Sequence, residues 1–510
     1  MWRRLLLVCF LLLCLRYQMA CFCQPNSNIL SLGILLVGSF SLALFHPSQA
    51  LFAFTVGQVP LNGLGVTALL PGTWPSSSVF SAMSAGLYVS RLIIDRRPSG
   101  SNDPYFGHTS PKGPSFDCIL VGIDALTTIV LVSFGFQLWR HHRSPLFEHV
   151  FYTNPVFGYS DPLYFITSTF IWLQGLFFFR MLYTESECNY RWLEPVLAVS
   201  SLSIGLFYII QLIFDVPGRL DVGNNCSPFE EFHSFGGVVL AIFAFWAGSL
   251  CWQRKRQGES AFAAYGRQII IILGVAGLGT LVAASWSRTA WVVGALLLLA
   301  ISLLRFAKKW TFGILATIGA VVAVAYIHGG QESWQRNTML APLASLARFK
   351  SWDSLGPGRL EMYQKALEMI SDRPLGGHGI GSFYLTSVRY APTGALGATP
   401  NFAHNFVLQI GAELGLPAMF LFAGATVIAL IRGWKNAWFE VQRHQKDRAA
   451  AEISVRLKIL GAFLALSVYL LTQFTANSLN IFVSNQFFFW FLVAVLINST
   501  RRQAAAAAPT

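Results

Sequence analysis

The sequence predicts an all-α, polytopic integral membrane protein of about 12–14 transmembrane helices with one long polar loop, because several windows exceed the ~18 apolar residues that mark a span. Two compositional observations agree. Hydrophobic residues make up 54% of the 510 and charged residues only 12%, where a soluble domain carries roughly 25% charge. Lys and Arg number 36 against 23 Asp and Glu, a formal net charge of +13. In a membrane protein this excess sets topology and meets anionic lipid. No nucleic-acid-binding motif accompanies it, so nucleic acid is excluded as a partner. The same composition excludes disorder, collagen and a secreted disulfide scaffold.

The chain opens with Met-Trp-Arg-Arg and the run LLLVCFLLLCL. That run is short for a span and has the length of a signal h-region, but no small-x-small cleavage site follows. It reads as an uncleaved first helix or anchor. Cys9, Cys14, Cys21 and Cys23 crowd this end, while Cys118, Cys188, Cys226 and Cys251 stand far apart. No paired CxxC pattern suggests zinc, and they read as small apolar residues. Spans are expected at about 4–20, 28–45, 51–70, 77–95, 116–138, 162–183, 193–214, 233–252, 267–284, 288–305, 310–327, 408–431, 456–476 and 480–499, each near the ~20 residues needed to cross.

Basic clusters orient these spans. Arg91, Arg96 and Arg97, Arg254-Lys255-Arg256, Arg305 to Lys309, Arg432 to Lys458 and Arg501-Arg502 fall on one face when the spans alternate. That face is expected in the cytoplasm, with both termini. One loop disagrees: Arg140-His141-His142-Arg143 falls outside. The outer face also receives a loop near 215–232 and the long polar segment from Gly329 to Ala403. Within the latter, PGRLEMYQKALEMISD (357–372) predicts an amphipathic helix. Pro357 suits its first turn, Glu361 complements its dipole, and Leu360, Tyr363, Leu367 and Ile370 form its expected apolar stripe. Asp372-Arg373-Pro374 ends it. The closing QAAAAAPT is low-complexity and is expected to be disordered.

Several residues in or beside the long loop are candidates for chemistry. Arg288, in SWSRTAW, stands at the outer end of two adjacent spans. It is either a snorkelling arginine among interfacial tryptophans or a rigid fork of donors for a lipid-linked phosphate. His404, in NFAHN, closes the long loop and starts a helix. It is either structural or a neutral imidazole able to take a proton from a sugar hydroxyl near pH 7. Asn405 beside it is placed to orient it or bind a hydroxyl. Arg359 opens the amphipathic helix, as a solvated residue or as a second cation for the same anion at a helix N-terminus. The run PLGGHGIGSF, with Gly377 in it, is a tight turn that lets backbone approach a neighbour; no strand–helix unit supports nucleotide binding. Glu413 is an intramembrane carboxylate, either functional or internally paired. In continuous helix it stands about 13.5 Å along the axis from His404, too far for a direct pair. No Walker A, Asp-x-Asp pair or WWD-type motif is present.

Three runs resemble the O-antigen ligase/polymerase superfamily of bacterial envelope proteins. SWSRTAWVVGALLLLAISLL is similar to its SRxAW-type helix start. GRLEMYQKALEMISDRPLGGHGIGSF is similar to its R-x-x-x-(W/Y)-x-x-A…P-L-x-G-x-G-x-G-x-F signature. FAHNFVLQIGAELGLPAMFLF is similar to its H-N-x-x-L…E-x-G-x-x-G signature. The resemblance covers about 285–425, with a looser echo in RLDVGNNCSPFEEFHSFGG. It implies a type-C-like glycosyltransferase architecture and a reaction without nucleotide sugar, metal or other cofactor. A glycan passes from an undecaprenyl-diphosphate carrier to a glycan, lipid or protein acceptor hydroxyl, on the periplasmic side of the inner membrane. By position Arg288 matches the family's diphosphate-binding arginine, His404 its essential histidine and Arg359 an arginine of the loop helix. Arg219 is a weaker match.

These readings divide the chain into N-terminal spans (1–214, with 1–20 the signal anchor candidate), central helices with the donor-site arginine (215–327), a large periplasmic loop (328–407), C-terminal spans (408–500) and a tail (501–510). The motifs leave three alternatives open: a polymerase of O-antigen or exopolysaccharide repeats, a protein O-oligosaccharyltransferase and, in another class, a bicarbonate-type anion transporter. The transporter would place its polar groups near mid-membrane.

Overall fold

The computed structural model describes residues 117–143, 161–184, 193–202, 204–205, 232–252, 273–275, 277–279, 281–282, 287–305, 359–390, 402–446, 453–474 and 483–507. The spans expected at 4–20, 28–45, 51–70, 77–95 and 310–327 lie outside these residues, as do most of 267–284, the later part of 193–214 and the loop before 232. The described residues are helical and contain no strand. In chain order the main elements are α1 (Cys118–His141), α2 (Tyr164–Thr184), α3 (Phe232–Trp252), α4 (Arg288–Arg305), α5 (Arg359–Asp372), the short α6 (Phe383–Thr386) running into a 3-10 turn (Ser387–Tyr390), α7 (Phe406–Lys446), α8 (Ile453–Gln473) and α9 (Val483–Ala507). Cys118–His141, Tyr164–Tyr183 and Phe406–Ala437 are each long and apolar enough to cross a membrane. Leu193–Leu202, Phe235–Gly248, Thr289–Ala300, Lys458–Gln473 and Asn485–Ser499 are shorter apolar stretches.

The chain forms these helices for local reasons. Asp117 caps α1, its Oδ1 accepting from the N–H of Ile119 at 3.1 Å, and Arg140 and His141 in the last turn complement the dipole. Side chains 485–499 of α9 are buried on every side, as expected of a helix apolar all round its axis. Around it pack α2, α7 and α8. Phe422 on α7 stacks on Phe489 at 5.2 Å and meets Trp490 edge-on at 5.6 Å. Phe178 on α2 meets Phe487 at 5.1 Å. α3 lies along α8, where Gly248 and Gly461 bring the backbones together, the small-residue contact that replaces hydrophobic driving force between membrane helices.

Cross-helix bonds sort the helix ends onto two faces. On one, Tyr183 donates to the Asp117 carboxylate at 2.8 Å, Asn498 to the carbonyl of Leu182 at 3.3 Å, Asn436 to Ser499, and Lys458 pairs with Glu194 at 2.9 Å. On the other, Gln137 donates to the carbonyl of His378 at 3.2 Å, Tyr363 to the carbonyl of Phe474 at 3.1 Å, and Tyr469 to Asn485 at 3.0 Å. This second face carries α5, and we call it the loop face. The described helices α1, α2, α7, α8 and α9 therefore alternate in direction between the two faces. The loop Arg140–Arg143 stands on the loop face with α5, so its departure from the basic pattern is a property of the molecule. Asp124 and Arg180 form an ion pair between α1 and α2, another polar contact within the spans.

Two expectations are corrected. Of the stripe Leu360, Tyr363, Leu367 and Ile370, α5 buries only Ile370. Its buried face is Met362, Lys365, Ala366, Met369 and Ile370, while Leu360 and Leu367 are 50% and 55% exposed. Small Ala366 and flexible methionines let α5 lie close against α7, and that docking outweighs the leucine periodicity. The tail is also shorter than expected, because α9 continues through Arg501-Arg502 to Ala507. Alanine extends a helix that is already nucleated at little cost.

Candidate functional site

His404 is held at the point where the chain enters α7. Its backbone has φ +48°, the one positive φ at a non-glycine residue among those described, a conformation that surroundings must enforce. Neighbours on both sides do so. Ala403 is fully buried and Phe402 packs on Tyr384 at 5.3 Å. Phe406 packs on Phe422 and Phe474, both at 5.6 Å. Asn405 is the N-cap of α7, its Oδ1 accepting from Val407 and Leu408 N–H groups at 3.1 Å each. Its carbonyl-type oxygen is therefore committed to the helix.

Arg359, at the first residue of α5, lies close enough to act electrostatically on His404. Burial first, and this guanidinium second, push the imidazole down to a pKa of about 4. The ring is neutral at pH 7, with a lone pair to accept a proton. Tyr363, one turn along α5, also feels Arg359, though burial dominates and raises its phenol. Lys365 is buried on the same helix and pairs with Glu361 at 3.0 Å.

Behind His404, α7 is broken. Gly415 has φ 85° and ψ 170°, and Pro417 follows. A break exposes carbonyls and N–H groups that need partners. The glycine-rich turn supplies them. The N–H groups of His378 and Gly379 donate to the carbonyls of Ala412 and Glu413, both at 2.9 Å, and Leu416 N–H donates to the carbonyl of Pro374 at 2.7 Å. A Cβ at Gly377 would strike the backbone of Glu413, and one at Gly415 the carbonyl of Leu375. Both have positive φ, so both positions need glycine for conformation and for space.

The Glu413 side chain completes this joint. It is buried and accepts from Gly381 N–H at 2.9 Å, Phe383 N–H at 3.2 Å and Gln409 Nε2 at 3.0 Å. The other end of the Gln409 amide accepts from Ala403 N–H at 3.5 Å. Glu413 thus reaches the residue beside His404 through Gln409, without touching the histidine. A second cluster lies on the outside of the turn. The Tyr390 hydroxyl donates to Asp372 at 2.8 Å and lies 3.3 Å from His378 Nε2, which is 3.1 Å from the Met369 carbonyl. Burial lowers the His378 pKa, and burial together with Asp372 pushes Tyr390 up to about 12.

Of the expected site residues, His404 and Arg359 come together, with Asn405 as cap and Gly377 and Glu413 in the joint that supports them. Arg288 begins α4, but its side chain is not among those described, and Arg219 lies outside the described residues. Gly294, about 9 Å along α4, meets Leu240, about 12 Å along α3. Sequence reasoning missed Gln409, Lys365 and the His378–Tyr390–Asp372 cluster. Gln409 had a signal: it is four residues from both Asn405 and Glu413, on one helix face.

Fold and site together define a helical membrane protein whose loop helix and broken helix meet at a neutral histidine beside an arginine. Residues 270–423 match the family model described as O-antigen ligase. The match bears out the resemblance carried by the three motifs and encloses Arg288, Arg359, Gly377, His404, Asn405 and Glu413; Arg219 falls outside it. It supports a membrane enzyme of the ligase type with a lipid-linked glycan and an acceptor as partners. A comparison with curated proteins gives no match.

Proposed function

We propose that this protein transfers a glycan from an undecaprenyl-diphosphate carrier to an acceptor hydroxyl, with its site facing the periplasm from the inner membrane. The observation that carries this reading is the pairing of a neutral, conformationally held His404 with Arg359. His404 accepts the proton of the acceptor hydroxyl as the oxygen attacks the anomeric carbon. The bond from that carbon to the diphosphate oxygen breaks, and the carrier diphosphate leaves as an anion. It needs charge stabilisation rather than protonation, which arginines supply. Arg359 is assigned this role with Arg288, and Arg219 is a further candidate. The proton then passes from His404 to water, and no metal or other cofactor takes part.

The low basicity of His404 fits this cycle. Burial holds the imidazole pKa down first and Arg359 second, and an anion bound to Arg359 offsets the second of these. The base strengthens when the donor is in place.

The test is the profile of envelope and released polysaccharide in cells with His404→Ala, beside wild type and a deletion, at matched expression. A profile like the deletion supports the assignment. Carrier loaded with full-length chains then means a ligase, and carrier held at single repeats means a polymerase. A His404→Ala profile like wild type, where the deletion differs, removes His404 from the chemistry. A deletion that changes no glycan turns attention to anion uptake.

A further inference from the structure

The basic loop on the loop face meets a second set of cations. Gln137 ties the end of α1 to the His378 carbonyl, and Ser133, a turn earlier, accepts from Ile380 N–H at 2.9 Å. One turn beyond Gln137, Arg140, His142 and Arg143 are exposed. Across this contact Arg373 and Arg389 are exposed too. They flank the cluster in which Asp372 accepts from Tyr390 and lies 3.6 Å from His378 Nε2. His378 feels Arg140 and Arg373, and Tyr390 feels Arg373 and Arg389.

Among the described residues, little negative charge answers these guanidiniums. Asp372, already bonded to Tyr390, is 4.0 Å from Arg373. Asp161, at the loop-face end of α2, caps that helix by accepting from Leu163 N–H at 2.8 Å. Among the described residues no ion pair joins Arg140, Arg143 or Arg389 to a carboxylate. The α1 dipole accounts for cations at its own end, but Arg373 and Arg389 come from other elements.

The apolar surroundings of this patch bear on its depth. Val132, Phe136 and Trp139 on α1 are 67%, 41% and 69% exposed, and Leu375 on the turn is 78% exposed. Among the described residues, an exposed aliphatic and aromatic run ending in Trp has the pattern of a face that meets lipid up to the membrane–water interface. The arginines follow directly, at headgroup level, where a guanidinium fork suits a phosphate.

We propose that Arg140, Arg143, Arg373 and Arg389 form a binding site for the phosphate of an anionic phospholipid in the leaflet of the loop face, with the acyl chains along Val132 and Phe136. The site uses neither His404 nor Arg359, and its occupancy does not depend on the transfer reaction. It also gives a reason for a basic loop where topology disfavours one: the charge is kept for a ligand.

The full chain reconstituted in phosphatidylcholine vesicles tests this. Trp139 reports through the difference between the unaltered chain and Trp139→Phe. Brominated phosphatidylglycerol, at equal mole fraction, should quench the Trp139 signal as if enriched roughly fivefold over brominated phosphatidylcholine, the enrichment of a basic contact near the surface. The excess should vanish in the chain carrying Arg140→Gln, Arg143→Gln, Arg373→Gln and Arg389→Gln, with phosphatidylcholine quenching unchanged as the check that α1 is in place. Equal quenching by the two lipids in the unaltered chain overturns the proposal, whatever the variant does. So does an excess that survives in the variant. If dissolved inorganic phosphate removes the excess as fully as the substitutions do, the site takes a free anion and the lipid assignment falls.

Discussion

His404 combines a backbone conformation that side chains rarely adopt with a ring kept neutral by burial and by Arg359. A positioned base contributes about 10²–10⁴-fold to rate. His404→Ala should therefore lose transfer by about that factor while the protein still accumulates in the membrane, checked by initial rate on a lipid-linked donor. The pH profile carries a second prediction. A nearby cation disfavours the protonated ring, so removing it raises the pKa. The acid limb of kcat/KM in the unaltered enzyme should lie near pH 4, with no loss between pH 6 and 7.5. In Arg359→Gln the limb should move towards the ~6.5 of an ordinary histidine, with lower activity throughout. A limb that stays in place would separate Arg359 from His404. Both residues were legible in the sequence because each stands in a motif with fixed spacing. Gln409 was not, because its role depends on where the turn docks, and one helix's periodicity cannot specify that.

At the scale of elements, the joint between the glycine turn and α7 decides whether His404 is held. Gly415→Ala adds a side chain at φ 85° against the Leu375 carbonyl. That combination of φ and ψ is essentially confined to glycine and costs an L-residue about 1–3 kcal/mol, and the backbone clash adds to it. Thermal unfolding in detergent should show a loss of at least that size, with Gly377→Ala similar. Glu413→Ala leaves the N–H groups of Gly381 and Phe383 and the Gln409 amide without their acceptor. A buried donor left so costs about 1–3 kcal/mol. Its activity loss should follow stability, with the acid limb unmoved, since Glu413 does not touch the histidine. The turn and the Gly415 break were partly legible: glycines announced a close approach, while its partner lay more than thirty residues away in sequence. α5 itself was legible from its capping and charge pattern. Its buried face was not, because two apolar sets share the helix and tertiary contact chose the methionine set.

For the whole molecule, the cross-helix bonds put α5, His404 and Arg140–Arg143 on one face and Asn436, Lys458 and Ser499 on the other. Single cysteines at 143 and 402, in a chain whose native cysteines are replaced, should react with a membrane-impermeant maleimide from the same side. A cysteine at 446 should react only from the other. Labelling of 143 and 446 from one side would break the arrangement of α1 relative to α7. The all-helical membrane fold was legible because apolar runs of span length have few other destinations. The Arg140–Arg143 exception was visible as a conflict but had no explanation in the sequence, since Arg373 and Arg389 join it only through folding.

The bonds across the Gly415 break also make the two halves of the site a single unit of inheritance. Pro374, His378 and Gly379 close the hydrogen bonds of Ala412, Glu413 and Leu416, so neither stretch has a complete backbone without the other. In hybrids assembled from two homologous parents, a crossover between positions 382 and 406 would separate these partners, whereas one placed before 359 would keep them together. Crossovers of the first kind should give working hybrids only when the parents agree at 374–381 and 412–416.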